Sequence, residues 1–259
     1  MTRVRGSRGR GARSALGLLT VVGGSSPATA SSVPWFPVVG AGLGAVLGVA
    51  WWALDELLPP FVAAGGVVAA DLALTGMLHL DGWIDSADGL LPHLERDHRL
   101  DVMSEPQVGA FGVGSAVVVI ALRMAALGSS RKTSFGRRVL LLGALWATSR
   151  ALMGLATLHL PYARQSGMVS DYGARPGGTG APPAPAPTLA CVLAILAAAA
   201  GLVGWRPRAA PAVLAGALAS GAGVLALGRR KLGGYTGDVL GAAAVAAETA
   251  GLIMAAGKW

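Results

Sequence analysis

Residues 60–89 read PFVAAGGVVAADLALTGMLHLDGWIDSADG. The first part, 60–80, is apolar apart from Asp71. It is long enough to cross the roughly 30 Å hydrocarbon core of a bilayer at about 1.5 Å per helical residue. The remainder then packs Asp81, Asp85 and Asp88 into eight residues. An ionised side chain at the centre of a membrane helix costs roughly 2.5–3.5 kcal/mol or more. Three of them at such a boundary call for a compensating positive charge, either a divalent cation or a run of Arg and Lys. Of the 13 Asp and Glu in the chain, eight lie between Asp71 and Glu105, so the acid chemistry is concentrated here.

The rest of the chain sets this cluster in a membrane protein. Over 259 residues it is 53% hydrophobic and only 13% charged, and its mean hydropathy is +0.59. A soluble domain of this length is far more polar. The apolar runs are continuous and rich in Ala, Leu, Gly and Val, which argues against the alternating pattern of a β-barrel. The expected class is therefore all-α, a polytopic bundle of about six to seven transmembrane helices. The single cysteine, Cys191, excludes an intrachain disulfide and reads as a small apolar residue. The net charge of +8 comes from scattered basic residues without interleaved aromatics. It is a topology signal, and it does not indicate nucleic-acid binding.

Candidate spans fall at 36–58, 60–80, 108–128, 138–160, 187–204, 209–228 and 237–257. Residues 1–35 read as a basic N-terminal arm with a short apolar lead-in, and 36–259 as one integral membrane catalytic domain. The arm carries Arg3, Arg5, Arg8, Arg10 and Arg13 and is expected to be disordered; Ala15–Val22 followed by Ala28-Thr-Ala30 also resembles a short signal peptide. Gly177–Pro185 reads as a flexible linker. With the N-terminus inside, the positive-inside rule places 81–107, 161–186 and 229–236 in the cytoplasm, and the basic segment 129–138 is its exception.

On a helix Asp81, Asp85 and Asp88 lie within an arc of about 60°. They form one acidic stripe, with Gly82 and Gly89 removing bulk where a ligand approaches. The competing reading is a solvated helix whose aspartates favour its amino-terminal dipole. All-oxygen ligands suit Mg2+ or Mn2+ better than zinc, and Mg2+ commonly shares its sphere with substrate phosphates. His79 is either a contact to metal or substrate or a satisfied boundary histidine. Glu95-Arg-Asp97-His-Arg99-Leu-Asp101 alternates in sign and reads mainly as a solvated helix face. Glu105, at the turn before Val108-Gly-Ala-Phe-Gly112, is the further acid candidate.

A second signature is Gly233-Gly-Tyr-Thr236-Gly237-Asp238-Val-Leu-Gly241. Its glycines permit close backbone approach, and Asp238 enters an apolar segment, either as a functional acid or, with Thr236, as a helix cap. Glu248 is expected to pair with Arg123 or Arg150. Arg164, in Pro161-Tyr-Ala-Arg164-Gln-Ser-Gly167, suits either a phosphate clamp or a headgroup anchor.

Together these motifs resemble the cobalamin synthase (adenosylcobinamide-GDP ribazoletransferase) family. The resemblance rests on the run at 79–89, on 108–112, on Arg164 with Gly167, on 233–241, and on Trp35-Phe-Pro-Val-Val-Gly40. Where the family carries a basic residue and then Asp-Ser-Arg, this chain has Ser104-Glu-Pro-Gln107. The resemblance implies a Mg2+-dependent transferase that joins adenosylcobinamide-GDP to α-ribazole or its 5′-phosphate and releases GMP. It implies a multi-pass protein of the cytoplasmic membrane, with its site facing the cytoplasm and the lipid bilayer as its setting.

In that reading Asp81, Asp85, Asp88 and Asp238 hold Mg2+, and Arg164 offsets charge on the transferred phosphoryl group. One carboxylate not committed to metal, Asp85 or Glu105, accepts the proton of the attacking hydroxyl. His79, Gly82, Gly89, Gly234, Thr236 and Gly237 line the substrate. The alternatives are a CDP-alcohol phosphotransferase, whose motif fails here because Asp85-Ser86 stand where it requires Ala-Arg, and a cation or metal transporter using Asp71, Asp81, Asp85 and Asp238.

Overall fold

The computed structural model describes residues 2–24, 29–129, 133–164 and 185–258; the linker at 177–185 lies outside them apart from Pro185. Among the described residues there is no β-strand. The elements are α1 (Thr2–Leu19), α2 (Phe36–Leu57), α3 (Pro60–Leu74), α4 (Leu78–Leu90), α5 (Arg96–Val102), α6 (Ala110–Ser129), α7 (Phe135–His159), α8 (Pro185–Trp205), α9 (Ala210–Leu232) and α10 (Gly237–Ala255). Six helices among the described residues are long and apolar enough to cross a membrane. The bent pair α3–α4 brings this to as many as seven.

The apolar run expected to cross as one span over 60–80 is broken. Thr75 ends α3; Gly76 and Met77 both have positive φ, of 58° and 60°. The amide of Met77 donates to Leu72 O at 2.8 Å and that of Gly76 to Ala73 O at 3.2 Å. These two bonds satisfy the last carbonyls of α3 and turn the chain out of the helix, with glycine at the left-handed position. The next helix leaves at 91°. Averaged hydropathy hides such a break, because a window of about 20 residues merges three turn residues with the apolar helix before them.

α7 and α10 lie at the centre of the bundle, and α8 and α9 at its margin. α2 packs along α7 through Gly40, Gly44 and Gly48. A Cβ at these positions would lie 2.4 Å from Trp146 O, 2.2 Å from Leu142 O and 2.7 Å from Val139 Cα. Small residues at four-residue spacing let two membrane helices meet backbone to backbone.

The buried charges tie the helices together. Arg123 of α6 reaches Asp71 of α3 at 2.8 Å and Glu248 of α10 at 2.7 Å. Glu248 also accepts from Arg150 and Ser149 of α7, and Trp146 Nε1 donates to Asp71 at 3.0 Å. Glu248 thus meets both basic residues expected for it. At the opposite end of the bundle from α4, Arg138 of α7 meets Asp55 of α2 at 2.6 Å, with its guanidinium 4.9 Å from the Trp51 ring centre. One residue of the exceptional basic segment 129–138 is therefore internal and paired.

The N-terminal segment also differs from the disordered arm expected. It is helical, and Ala15 and Leu19 are buried against Val33 and Phe36. Its last turn packs into the bundle.

Removing one partner of a buried ion pair strands the other charge, at a cost of about 3–5 kcal/mol. Glu248→Ala is therefore expected to lower the thermal unfolding midpoint in detergent sharply. The exposed-site control Asp97→Ala is expected to leave it unchanged. Equal midpoints for the two variants would remove the charge network from the list of what holds the bundle.

Candidate active site

The site forms where α4 crosses the first turn of α10. A Cβ on Gly82 would lie 2.7 Å from Asp238 O, and one on Gly241 would lie 3.2 Å from His79 Cα. The two glycines let the helices touch, and the contact sets the α4 acids beside Asp238. The space freed by Gly82 is filled by protein backbone. Gly89 is similar: a Cβ there would strike Met103 Sδ at 2.7 Å. Both glycines serve packing where the sequence suggested room for a ligand.

The start of α10 is fixed by two loops joined side by side. Ala163 N donates to Tyr235 O at 2.9 Å, and Tyr235 N to Pro161 O at 3.0 Å. Gly234 makes this possible, since a Cβ on it would lie 2.1 Å from Pro161 O. Thr236 caps α10 by accepting from Val239 N at 3.2 Å, and its hydroxyl lies 3.2 Å from Asp238 Oδ2. Arg164 donates to the same carboxylate oxygen at 3.3 Å and to Met103 O at 3.2 Å. Tyr162, between the loops, has its phenol pushed above the usual range by burial; Arg164 opposes this and Asp238 adds to it. The phenol therefore stays protonated and able to donate.

The four expected carboxylates divide. Asp88 turns to α6 and accepts from the amides of Gly109 and Gly112, each at 2.8 Å. It holds the otherwise unpaired amides at the start of that helix, as an N-cap does. Asp81 is exposed and Asp85 half-buried. Among the described residues neither has a hydrogen-bond or ion-pair partner. Asp85 lies within electrostatic range of Asp81, Asp238 and Arg164. Among the described residues no three His, Cys, Asp or Glu side chains converge to hold a metal ion. The four-carboxylate cage expected from the sequence is thus not assembled by the protein alone. Glu105 is exposed in the turn after α5 and does not line the site cavity.

That cavity has a volume of about 240 Å³. Asp81, His79, Arg164, Gly237 and Asp238 border it, with Tyr162, Phe36, Met153 and the α1 residues Leu18 and Leu19. The apolar wall was absent from the sequence reading, because it comes from four separate segments. Residues 95–101 also have work the alternating charges concealed. Arg96 donates to Leu232 O at 2.8 Å and Ala163 O at 3.2 Å. The buried Arg99 donates to Gly89 O at 2.8 Å and Pro92 O at 2.9 Å. Together they brace the ends of α4 and α9 and the Arg164 loop.

Gly234→Ala is expected to push the two loops apart. In hydrogen exchange the Ala163 and Tyr235 amides should lose protection while those of α7 keep it. Unchanged protection at both amides would show that the loop pairing tolerates the added methyl.

The comparisons with known proteins bear on the family. The family model described as Cobalamin-5-phosphate synthase matches residues 11–256, beginning inside α1. An adenosylcobinamide-GDP ribazoletransferase of Leptothrix cholodnii is 32% identical over 232 residues, covering 88% of this chain and 86% of that protein. One from Chlorobium chlorochromatii is 34% identical, covering 91% and 90%. One from Thermosynechococcus vestitus is 45% identical over 125 residues, 47% of this chain and 51% of that protein. No solved structure matches. With one family model spanning nearly all of the bundle, from the last turns of α1 to the end of α10, the chain belongs to the cobalamin-5-phosphate synthase family.

Proposed function

We propose that the face shared by Asp81, Asp85, Asp238 and Arg164 binds the diphosphate of adenosylcobinamide-GDP with Mg2+. The reaction is that of the family: a ribose hydroxyl of α-ribazole is joined to the phosphoryl group carried by the corrinoid, and GMP leaves. The observation that carries the site assignment is the pair of α4 acids, without partners among the described residues, beside the Arg164–Asp238 contact. The phospholipid-synthase and transporter readings lack support of this kind. The deep acids a transporter would need, Asp71 and Glu248, are already paired with arginines.

The donor set fits the ion in type, being all carboxylate oxygen. It falls short in number, as Mg2+ sites usually do when substrate phosphates complete them. Asp81 and Asp238 would hold the ion, leaving Asp85 uncommitted; bound there, it would neutralise charge on the diphosphate. Arg164 is 27% exposed at the side chain, so it can move from Asp238 to a phosphate oxygen and steady the charge that builds on it.

In the transfer the oxygen of the ribose hydroxyl forms a bond to phosphorus. The bond from phosphorus to the bridging oxygen breaks, and that oxygen departs with GMP. The hydroxyl proton passes to Asp85, the half-buried acid of the pair. Thr236 holds Asp238 in place from the helix cap.

Beside the site stand Arg96, Arg99 and Arg164 with Arg229-Arg-Lys231 at the end of α9. By the positive-inside rule this end of the bundle faces the cytoplasm of a cell membrane, where the nucleotide substrate is found.

The test uses the purified chain in liposomes with adenosylcobinamide-GDP, α-ribazole and Mg2+. GMP is expected only when all three are present. Asp85→Asn is expected to slow release by about 100-fold or more, the scale of a lost proton acceptor. GMP release by Asp85→Asn at the normal rate, or without divalent cation, would overturn the assignment.

A further inference from the structure

Tyr162 is clamped from both sides. The carbonyl of Pro161 accepts from Tyr235 N at 3.0 Å, and the amide of Ala163 donates to Tyr235 O at 2.9 Å. The rings of Tyr162 and Tyr235 meet edge to face, with centroids 5.4 Å apart. Tyr162 is 8% exposed and borders the site cavity together with Asp81, Arg164 and Asp238. Its ring is thereby held in one place on the cavity wall.

Packing does not account for the hydroxyl. A phenylalanine would bury the same ring against Tyr235 without bringing in a polar group, and a buried polar group without a partner is costly. Among the described residues the Tyr162 hydroxyl has no hydrogen-bond partner, yet it is not one of the polar atoms that packing seals off, as the hydroxyl of Tyr235 is. The charges that act on it are those of the site, Arg164 and Asp238.

The wall offers few other donors. Of the side chains that border the cavity among the described residues, only His79, Tyr162 and Arg164 can donate a hydrogen bond in their ordinary charge states. Both ring nitrogens of His79 are sealed, which leaves Arg164 and Tyr162.

In the transfer described above, charge builds on the non-bridging oxygens of the phosphorus under attack. Donors already fixed towards such oxygens stabilise the transition state without reorganising. Arg164 becomes one when it leaves Asp238. A phenol O–H beside it adds another, and brings no charge that needs pairing in the resting site.

Resting on that function, we propose that Tyr162 is a further catalytic residue, whose hydroxyl donates a hydrogen bond to a non-bridging oxygen of the transferred phosphoryl group beside Arg164. The proton stays on the phenol throughout. Arg164 supplies charge and moves to do so; Tyr162, held by Tyr235, supplies a fixed direction.

The test begins with Tyr162→Phe, which keeps the ring and removes only the hydroxyl. In liposomes with both substrates and Mg2+, its kcat for GMP release is expected to fall about 10- to 100-fold, the scale of one hydrogen bond to a charged group. KM for α-ribazole should stay within twofold, and the thermal unfolding midpoint should match that of the wild-type chain. A second readout needs no turnover. The chain has three tyrosines, so labelling with 3-fluorotyrosine lets the Tyr162 fluorine resonance be assigned by its absence from Tyr162→Phe. Adding pyrophosphate with Mg2+ is expected to move that resonance further than the one from Tyr235.

A Tyr162→Phe variant that turns over at the wild-type rate would overturn the assignment. So would a slowed variant whose midpoint has dropped, because the hydroxyl would then be holding the fold. A Tyr162 resonance left unmoved by pyrophosphate and Mg2+ would overturn it as well. A moved resonance in a chain that releases no GMP would support the phosphate contact and sink the transferase reading alone.

Discussion

Arg123 is the point on which the bundle depends. In a medium where a lone charge is costly, its guanidinium joins Asp71 of α3 to Glu248 and Thr249 of α10, while Arg150 of α7 meets Glu248 from the other side. Four helices are held in one register by contacts that hydrocarbon packing alone would not specify. Buried ion pairs are poor evidence of net stability, since desolvation offsets much of the attraction. What this one supplies is position. Asp71 is fixed one turn before Thr75, so the end of α3 and the direction of α4 are fixed with it. The hydroxyl of Thr75, donating to Asp71 O at 2.7 Å, ties the two directly.

From that fixed turn the site follows by short steps. α4 leaves at a right angle and meets α10 through Gly82 and Gly241, and the crossing brings Asp81 and Asp85 to Asp238. Asp88, on the same stripe one turn further on, lies against the start of α6 and holds it. One helix thus positions the acids for chemistry and anchors its neighbour. Arg99 and Lys231 close its far end by donating to the carbonyls of Gly89 and Leu90.

Most of the fold was legible in the sequence, because a span is a local property of about 20 residues. The six unbroken helices fall within a few residues of their expected ranges. The break at Gly76 was equally local and was signalled by the glycine, but a hydropathy window averages across it. The triplet Gly40, Gly44 and Gly48 likewise announces a close helix contact without naming α7 as the partner. The site was legible only in its residue types. Asp81, Asp85 and Asp88 look equivalent on a helical wheel, and only the fold separates Asp88 by bringing the amides of Gly109 and Gly112 to it. Arg96 looked solvated for the same reason, since its acceptors are the distant carbonyls of Ala163 and Leu232, and Arg99 because the alternating charges around it gave no sign that it folds back onto the carbonyls at the end of α4.

The distribution of partners separates structural acids from functional ones. Asp71, Glu248 and Asp55 are buried and each has an arginine. Asp88 is buried and has two amides. Each would be intolerable in its place without them, so their partners are part of the fold. Asp81 and Asp85 stand nearer water, unpaired among the described residues, beside a third acid that shares its arginine with Met103 O. Three carboxylates so placed repel one another, and the fold contains no reason to collect them. The cation and phosphate-bearing substrate proposed for this face would relieve the repulsion. Under that proposal the acids the fold leaves unsatisfied are the ones its ligands would complete, and Arg164, held between two acceptors at the long end of the hydrogen-bond range, is the group that would change partners as they do.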